Sequence, residues 1–245
     1  MLGLALVAGC LWSEDGVMRF QARIANDTAT LLLLAVFIIV LLGIGSREPG
    51  GHISEHVDAI SIVGAICLLG VYGRWLYRYI QTGRGAEVGG GEVRLPMAFA
   101  IVLLAISGIG AALVSDWFVS ALEPTIEKLS LTAAFAGIVI VAIAGNAVEN
   151  VAGIVLAWKG RADLAISVVK NSVAQIAAML FPVLVLISFV FDDHLTFELE
   201  PLFIGALALT ALAVWQVSGD GEASEFEGWA LVATYLVLAT ITFFD

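Results

Sequence analysis

Eight apolar stretches, separated by short polar breaks, set what this chain can fold into. They run over residues 1–12, 28–45, 58–79, 95–121, 131–158, 163–191, 201–217 and 226–244. A helix needs about 20 apolar residues to cross the hydrocarbon layer. Seven of the stretches approach or exceed that length, and the first is too short to cross alone. It also lacks the basic leader and small-residue cleavage site of a signal peptide. Charged residues make up 13% of the chain, against about a quarter in soluble domains. These features exclude a soluble enzyme and predict an all-α integral membrane protein of about seven full spans plus an N-terminal remnant.

The basic residues orient the spans, because Lys and Arg concentrate in cytoplasmic loops. One alternate set of loops carries Arg19, Arg23, Arg74, Arg78, Arg84, Arg94, Lys159 and Arg161, and the other only Arg47 and Lys128. Loops 13–27, 80–94, 159–162 and 218–225 are therefore expected inside. Loops 46–57, 122–130 and 192–200 and the C-terminus are expected outside. The Gly-rich segment 81–94 reads as a cytoplasmic linker between residues 1–80 and a five-span unit at 95–245. Net charge is −11 without any basic patch, which argues against a nucleic-acid partner. Cys10 and Cys67 stand apart in apolar segments and read as packing residues.

One apolar stretch is interrupted by Gly145-Asn146-Ala147-Val148-Glu149-Asn150. Ionisable and amide side chains at membrane depth are costly and normally face a cavity or an ion path. At helical spacing Asn146, Glu149, Asn150 and Gly153 share one face. A break at Gly145 would free backbone carbonyls, as in the discontinuous helices of transporters. Carboxylate, amide and carbonyl oxygens form a hard-oxygen set, suited to calcium rather than to soft metals. A helix–helix hydrogen-bond cluster would explain the amides but not Glu149. The next stretch adds Asn171, Ser172 and Gln175 on one face. Lys170 beside them either snorkels to the cytoplasmic surface or pairs with Glu149 in place of a cation. Asp116 lies inside its apolar run and is a candidate for an outer vestibule, whereas Glu123 and Glu127 read as a solvated helix end. His52-Ile53-Ser54-Glu55-His56 matches an inverted zinc-protease pattern. It follows Pro49-Gly50-Gly51 in a short loop, with His194 on the same expected side, and reads as a chance match there.

Taken together these motifs resemble the calcium/proton exchanger family of the cation/calcium antiporters. Gly145–Asn150 matches that family's G-N-A-A-E-H core. Lys159-Gly160-Arg161-Ala162-Asp163 matches its short basic turn. Asn171-Ser172-Val173-Ala174-Gln175-Ile176 and Pro182 match its G-S-x-T-Q-I and proline, and Ser115-Asp116 with Glu123-Pro124 match its serine–acid and E-P pairs. The likeness runs from Phe20 to Tyr79 and on to Asp245. It implies two inverted five-span halves after one extra helix, each half bringing an acidic motif to mid-membrane.

By this resemblance Glu149 is the principal calcium and proton carboxylate, with Asn146, Ser172 and Gln175 lining the same site and Asn150 and Asn171 beside it. Asn150 stands where the family has histidine, Asn171 where it has glycine, Ala174 threonine, Asp116 glutamate, and Lys170 an apolar residue. The first half's acidic motif is absent, as though the chain began just after it. A missing N-terminal half or a second subunit is thus an expected partner. The function implied is exchange of calcium, or a similar cation, for protons by alternating access, with no cofactor and no enzymatic step. The alternatives are a sodium-coupled exchanger, or a non-transporting subunit in which Lys170 neutralises Glu149.

Overall fold

A computed structural model describes residues 1–48, 51–81 and 96–244. The chain divides into two compact units, Met1–Thr82 with Asn146–Leu236, and Gly83–Gly145 with Val237–Asp245. In chain order the elements are α1 (Leu2–Trp12), β1 (Val17–Arg19), α2 (Ala22–Gly45), α3 (Val57–Gln81) and α4 (Met97–Leu129). They continue with α5 (Ala133–Gly145), α6 (Ala147–Trp158) and α7 (Ala162–Ser188). The last are α8 (Pro201–Ser218), β2 (Glu222–Ser224) and α9 (Glu225–Phe244). Among the described residues six helices are long and apolar enough to cross a membrane, or seven if α5 and α6 form one broken span. This matches the expected all-α membrane architecture; α1 is apolar and shorter than a membrane span. Of the expected linker 81–94, all but Gln81 lies outside the described residues.

Two helices run past their apolar cores. The apolar run predicts a span from 28, yet α2 starts at Ala22 and includes Arg23, Asn26 and Asp27. The expected loop 122–130 is helical to Leu129, so Glu123, Pro124 and Glu127 lie on α4. The reason is that apolar length reports the thickness of the hydrocarbon, while helical hydrogen bonding continues where charged side chains meet water. The second difference is a two-stranded antiparallel sheet that no alternation in the sequence announces. Val17 pairs with Ser224 and Arg19 with Glu222.

In the first unit that sheet closes one end of the helices. Phe20 N–H donates to Gly221 O at 2.8 Å and Gln21 N–H to Asp163 Oδ1 at 2.7 Å. The Asn26 amide donates to Gly219 O at 2.8 Å. On the loop before β1 the Ser13 hydroxyl, the Arg19 guanidinium and the Val17 N–H all donate to Asp15 and hold its carboxyl down to about 2. The opposite end is tied separately. Ser46 Oγ donates to Glu198 Oε1 at 2.7 Å, His194 Nδ1 lies 2.9 Å from Asp58 Oδ2, and Phe197 N–H donates to Ser61 Oγ. Loops 13–27, 159–162 and 218–225 thus meet at one end, and 46–57 with 192–200 at the other, as alternation of spans requires.

Between the two ends lie two apolar clusters. The sheet-side cluster joins Leu6, Cys10, Met18, Ala25, Ala165, Ile166 and Val217. The other joins Leu31, Ile39, Leu68, Ala174, Ala178, Val185, Phe197 and Ile204. Small residues also let helices approach closely, as is usual between membrane helices. A Cβ on Gly3 of α1 would lie 2.5 Å from Gly228 O on α9. In the second unit Thr132 caps α5, accepting from Phe135 N–H at 3.0 Å and donating to Thr242 O at 2.6 Å.

Single cysteines at Thr196 and Glu222, in a background of Cys10→Ala and Cys67→Ser, are expected to react with an impermeant thiol reagent from opposite sides of the membrane. Labelling of both from the same side would contradict the helix order.

Candidate functional site

The polar interruption falls where the helix breaks. The expected break at Gly145 comes one residue later, at Asn146, whose backbone (φ −111°, ψ 23°) leaves helical geometry between α5 and α6. Such a break leaves the last carbonyls of one half-helix and the first N–H groups of the next without intrahelical partners. Asn146 O is already used, accepting from Asn150 N–H at 2.9 Å. Glu149 occupies the first turn of α6, where the positive end of the helix dipole favours a carboxylate. It is half-buried and forms no ion pair among the described residues.

α7 supplies the second polar set. Ser172 Oγ donates to Asn146 Oδ1 at 3.1 Å, joining the two motifs 26 residues apart. Asn171 Nδ2 donates to Ser167 Oγ at 3.1 Å, while Asn171 Oδ1 is buried and accepts no hydrogen bond. Gln175 is exposed and Asn150 half-buried. The approach of α6 to α7 depends on Gly153, one of the residues on the Asn146–Glu149–Asn150 face, since a Cβ there would collide with Val169 Cγ2.

Immediately after Gln175, residues Ile176–Leu180 form a π-helical turn. Pro182 has no N–H to donate to Ala178 O and its ring crowds that carbonyl, so a wider turn relieves the clash. π-turns of this kind are frequent at functional sites. The structure therefore brings Asn146, Glu149, Asn150, Asn171 and Ser172 onto two adjoining helices, with Gln175 at the margin. Asp116 is exposed on α4, in the other unit.

Lys170 corrects both expectations held for it. Its side chain neither reaches water nor meets Glu149. It is 5% exposed, and Nζ donates to Ser218 Oγ at 2.5 Å. Ser218 Oγ in turn donates to Val214 O at 2.5 Å. The ammonium is directed toward the sheet end of the helices, as snorkelling requires. The β1–β2 sheet and the cluster around Ile166 and Val217 cover that end, so it stays buried. The reading in which Lys170 neutralises Glu149 fails on this geometry. Ser218 had no signal in the sequence, being one small polar residue at a helix end. His194 sits on Asp58 and its ring packs 4.4 Å from Phe189. Among the described residues no group of three His, Cys, Asp or Glu could hold a metal.

The sequence profile described as sodium/calcium exchanger protein matches residues 99–244. The chain belongs to that family. Over 263 residues it is 29% identical to a Ca²⁺/H⁺ antiporter of Aphanothece halophytica, covering all of this chain and 70% of the relative. It is 29% identical to the Ca²⁺/H⁺ antiporter ChaA of Bacillus subtilis, covering 96% of this chain and 70% of the relative. Among solved structures, native YfkE superposes with a TM-score of 0.76 at 28% identity, over 99% of this chain and 72% of YfkE. The fold is therefore that of a cation/calcium antiporter, and the protein is an integral multi-pass membrane protein.

A thermodynamic cycle tests the buried lysine. The ammonium has a neutral hydroxyl for its described partner, a poor replacement for water. Lys170→Met keeps the long stem and removes the charge, so the melting temperature in detergent should hold or rise. Ser218→Ala leaves the ammonium without that partner and should cost about 1–3 kcal/mol. The double variant should melt with Lys170→Met rather than with Ser218→Ala.

Proposed function

We propose that this protein exchanges calcium for protons across a membrane by alternating access, as a secondary transporter rather than an enzyme. The observation that carries the reading is the Ser172–Asn146 hydrogen bond at the break before α6, because it sets the polar face of α7 against the helix end that bears Glu149. The site offers the Glu149 carboxylate, the amide oxygens of Asn146, Asn150 and Asn171, and the Ser172 hydroxyl. All are hard oxygen donors of the kind that calcium takes at about 2.3–2.6 Å. The unused Asn171 Oδ1 suits this role, since a buried acceptor without a donor gains most from a cation.

Coupling follows from competition. Calcium binds the ionised carboxylate, and a proton removes that ligand, so each ion displaces the other from one site. Outward movement of calcium and inward movement of protons then require only that the site open alternately to the two sides. The printed names of the relatives support calcium and protons as the pair. The sheet end, which carries Arg19, Arg23, Lys159 and Arg161, faces the cytoplasm in this reading, with the C-terminus outside. Asp116, matched to the family's serine–acid pair, is the outer acidic residue of this reading.

Glu149→Gln removes the charge and keeps the shape. In everted membrane vesicles it is expected to abolish calcium-driven proton flux while the protein still assembles and elutes as the wild type does. Full flux in Glu149→Gln would refute Glu149 as the ion carboxylate. Flux driven equally by sodium would replace the proton as coupling ion.

A further inference from the structure

α3 carries a second polar feature that transport does not use. Its buried side is formed by Ser61, Gly64, Ala65, Leu68 and Tyr72. The opposite side is exposed, and it changes character along its length. Val63, Ile66 and Cys67 make its middle apolar. Beyond Gly70 the same side presents Arg74, Tyr77, Arg78 and Gln81, spaced i, i+3, i+4 and i+7 and all exposed.

These four are partly organised already. The Arg74 guanidinium lies 5.8 Å from the centroid of the Tyr77 ring, and Gln81 Nε2 donates to the Tyr77 hydroxyl at 2.8 Å. On the buried side Trp75 packs between Tyr72 and Tyr79, tilted against the first and stacked on the second, with centroids 5.5 and 5.3 Å away. Aromatic residues of this kind collect at the headgroup level. Depth agrees: at 1.5 Å per residue Arg74 lies about 25 Å along the helix from Val57, and Gln81 about 10 Å further. The hydrocarbon layer is about 30 Å thick, so the two guanidiniums stand at its boundary and the apolar middle lies within it.

We infer that this side of α3 binds an anionic phospholipid, with the headgroup phosphate between Arg74 and Arg78 and an acyl chain along Val63, Ile66 and Cys67. Guanidinium forks match phosphate oxygens in geometry as well as charge. The Tyr77 hydroxyl and the Gln81 amide supply further polar contacts to the headgroup. The apolar continuation on the same side distinguishes a lipid from a free phosphate, which would gain nothing from it.

The test is competitive lipid retention by the full chain in detergent, read by native mass spectrometry with equal phosphatidylglycerol and phosphatidylcholine. Wild type should retain phosphatidylglycerol preferentially, with the preference falling as salt is raised. Arg74→Gln with Arg78→Gln should lower the ratio roughly tenfold or more, and each single variant about fivefold. The single variants carry the test if the double variant does not fold. Arg74→Lys with Arg78→Lys, which keeps the charges but not the planar forks, should retain only part of the preference. Arg23→Gln with Lys159→Gln removes two charges from the same end of the helices away from α3 and should leave the ratio unchanged. No preference in wild type, or equal loss in the Arg23/Lys159 variant, would overturn the proposal. So would displacement of the lipid by soluble glycerol phosphate at matched concentration, which would show that the acyl side is not engaged.

Discussion

A bilayer interior supplies no hydrogen bonds, and every polar group placed there must find its partners within the protein. The arrangement of this molecule follows from how it meets that demand. Most of each span is apolar helix with its backbone satisfied internally. Where polar side chains enter, they meet one another: Ser172 on Asn146, Asn171 on Ser167, Lys170 on Ser218. Two departures among the described residues concern the candidate site: Asn171 Oδ1 is buried without a donor, and Glu149 is a half-buried carboxylate without an ion pair. An unpaired acid at membrane depth is expensive, and in the function proposed for this protein that cost is what a transported cation or proton would relieve.

The site depends on departures from regular helix at two points. The break at Asn146 ends one helix and starts another, which places Glu149 at a helix N-terminus rather than mid-helix. The π-turn after Gln175 widens α7 directly below its polar residues. Both have causes in the sequence: Gly145, with its low helix propensity, precedes the first, and Pro182 follows the second. Gly153 adds the close approach that lets Ser172 reach Asn146. Each device weakens a single helix and is tolerated because the neighbouring helix restores the lost contacts.

Lys170 shows how charge is managed away from the site. Its ammonium is taken by Ser218 under the β1–β2 sheet, so it adds a buried positive charge without entering the Glu149 cluster. Its separation from Glu149 keeps the carboxylate available. On α3 basic side chains are turned outward instead, where Arg74 and Arg78 end an exposed apolar surface.

Apolar length and the Lys/Arg asymmetry determine the number of spans and which loops share a side, because both respond to the bilayer rather than to neighbouring residues. The Gly145–Asn150 and Asn171–Gln175 motifs likewise mark the candidate site in the sequence alone, since polar residues in apolar runs are costly. Other features depend on partners distant in the chain. The β1–β2 pairing joins segments about 200 residues apart, and three-residue strands are too short to show alternation. The fate of Lys170 is decided by what covers it: the sequence leaves snorkelling and pairing with Glu149 both open, and only the packing of Ile166, Val217 and the sheet over that end keeps the ammonium from water and leaves Ser218 within reach.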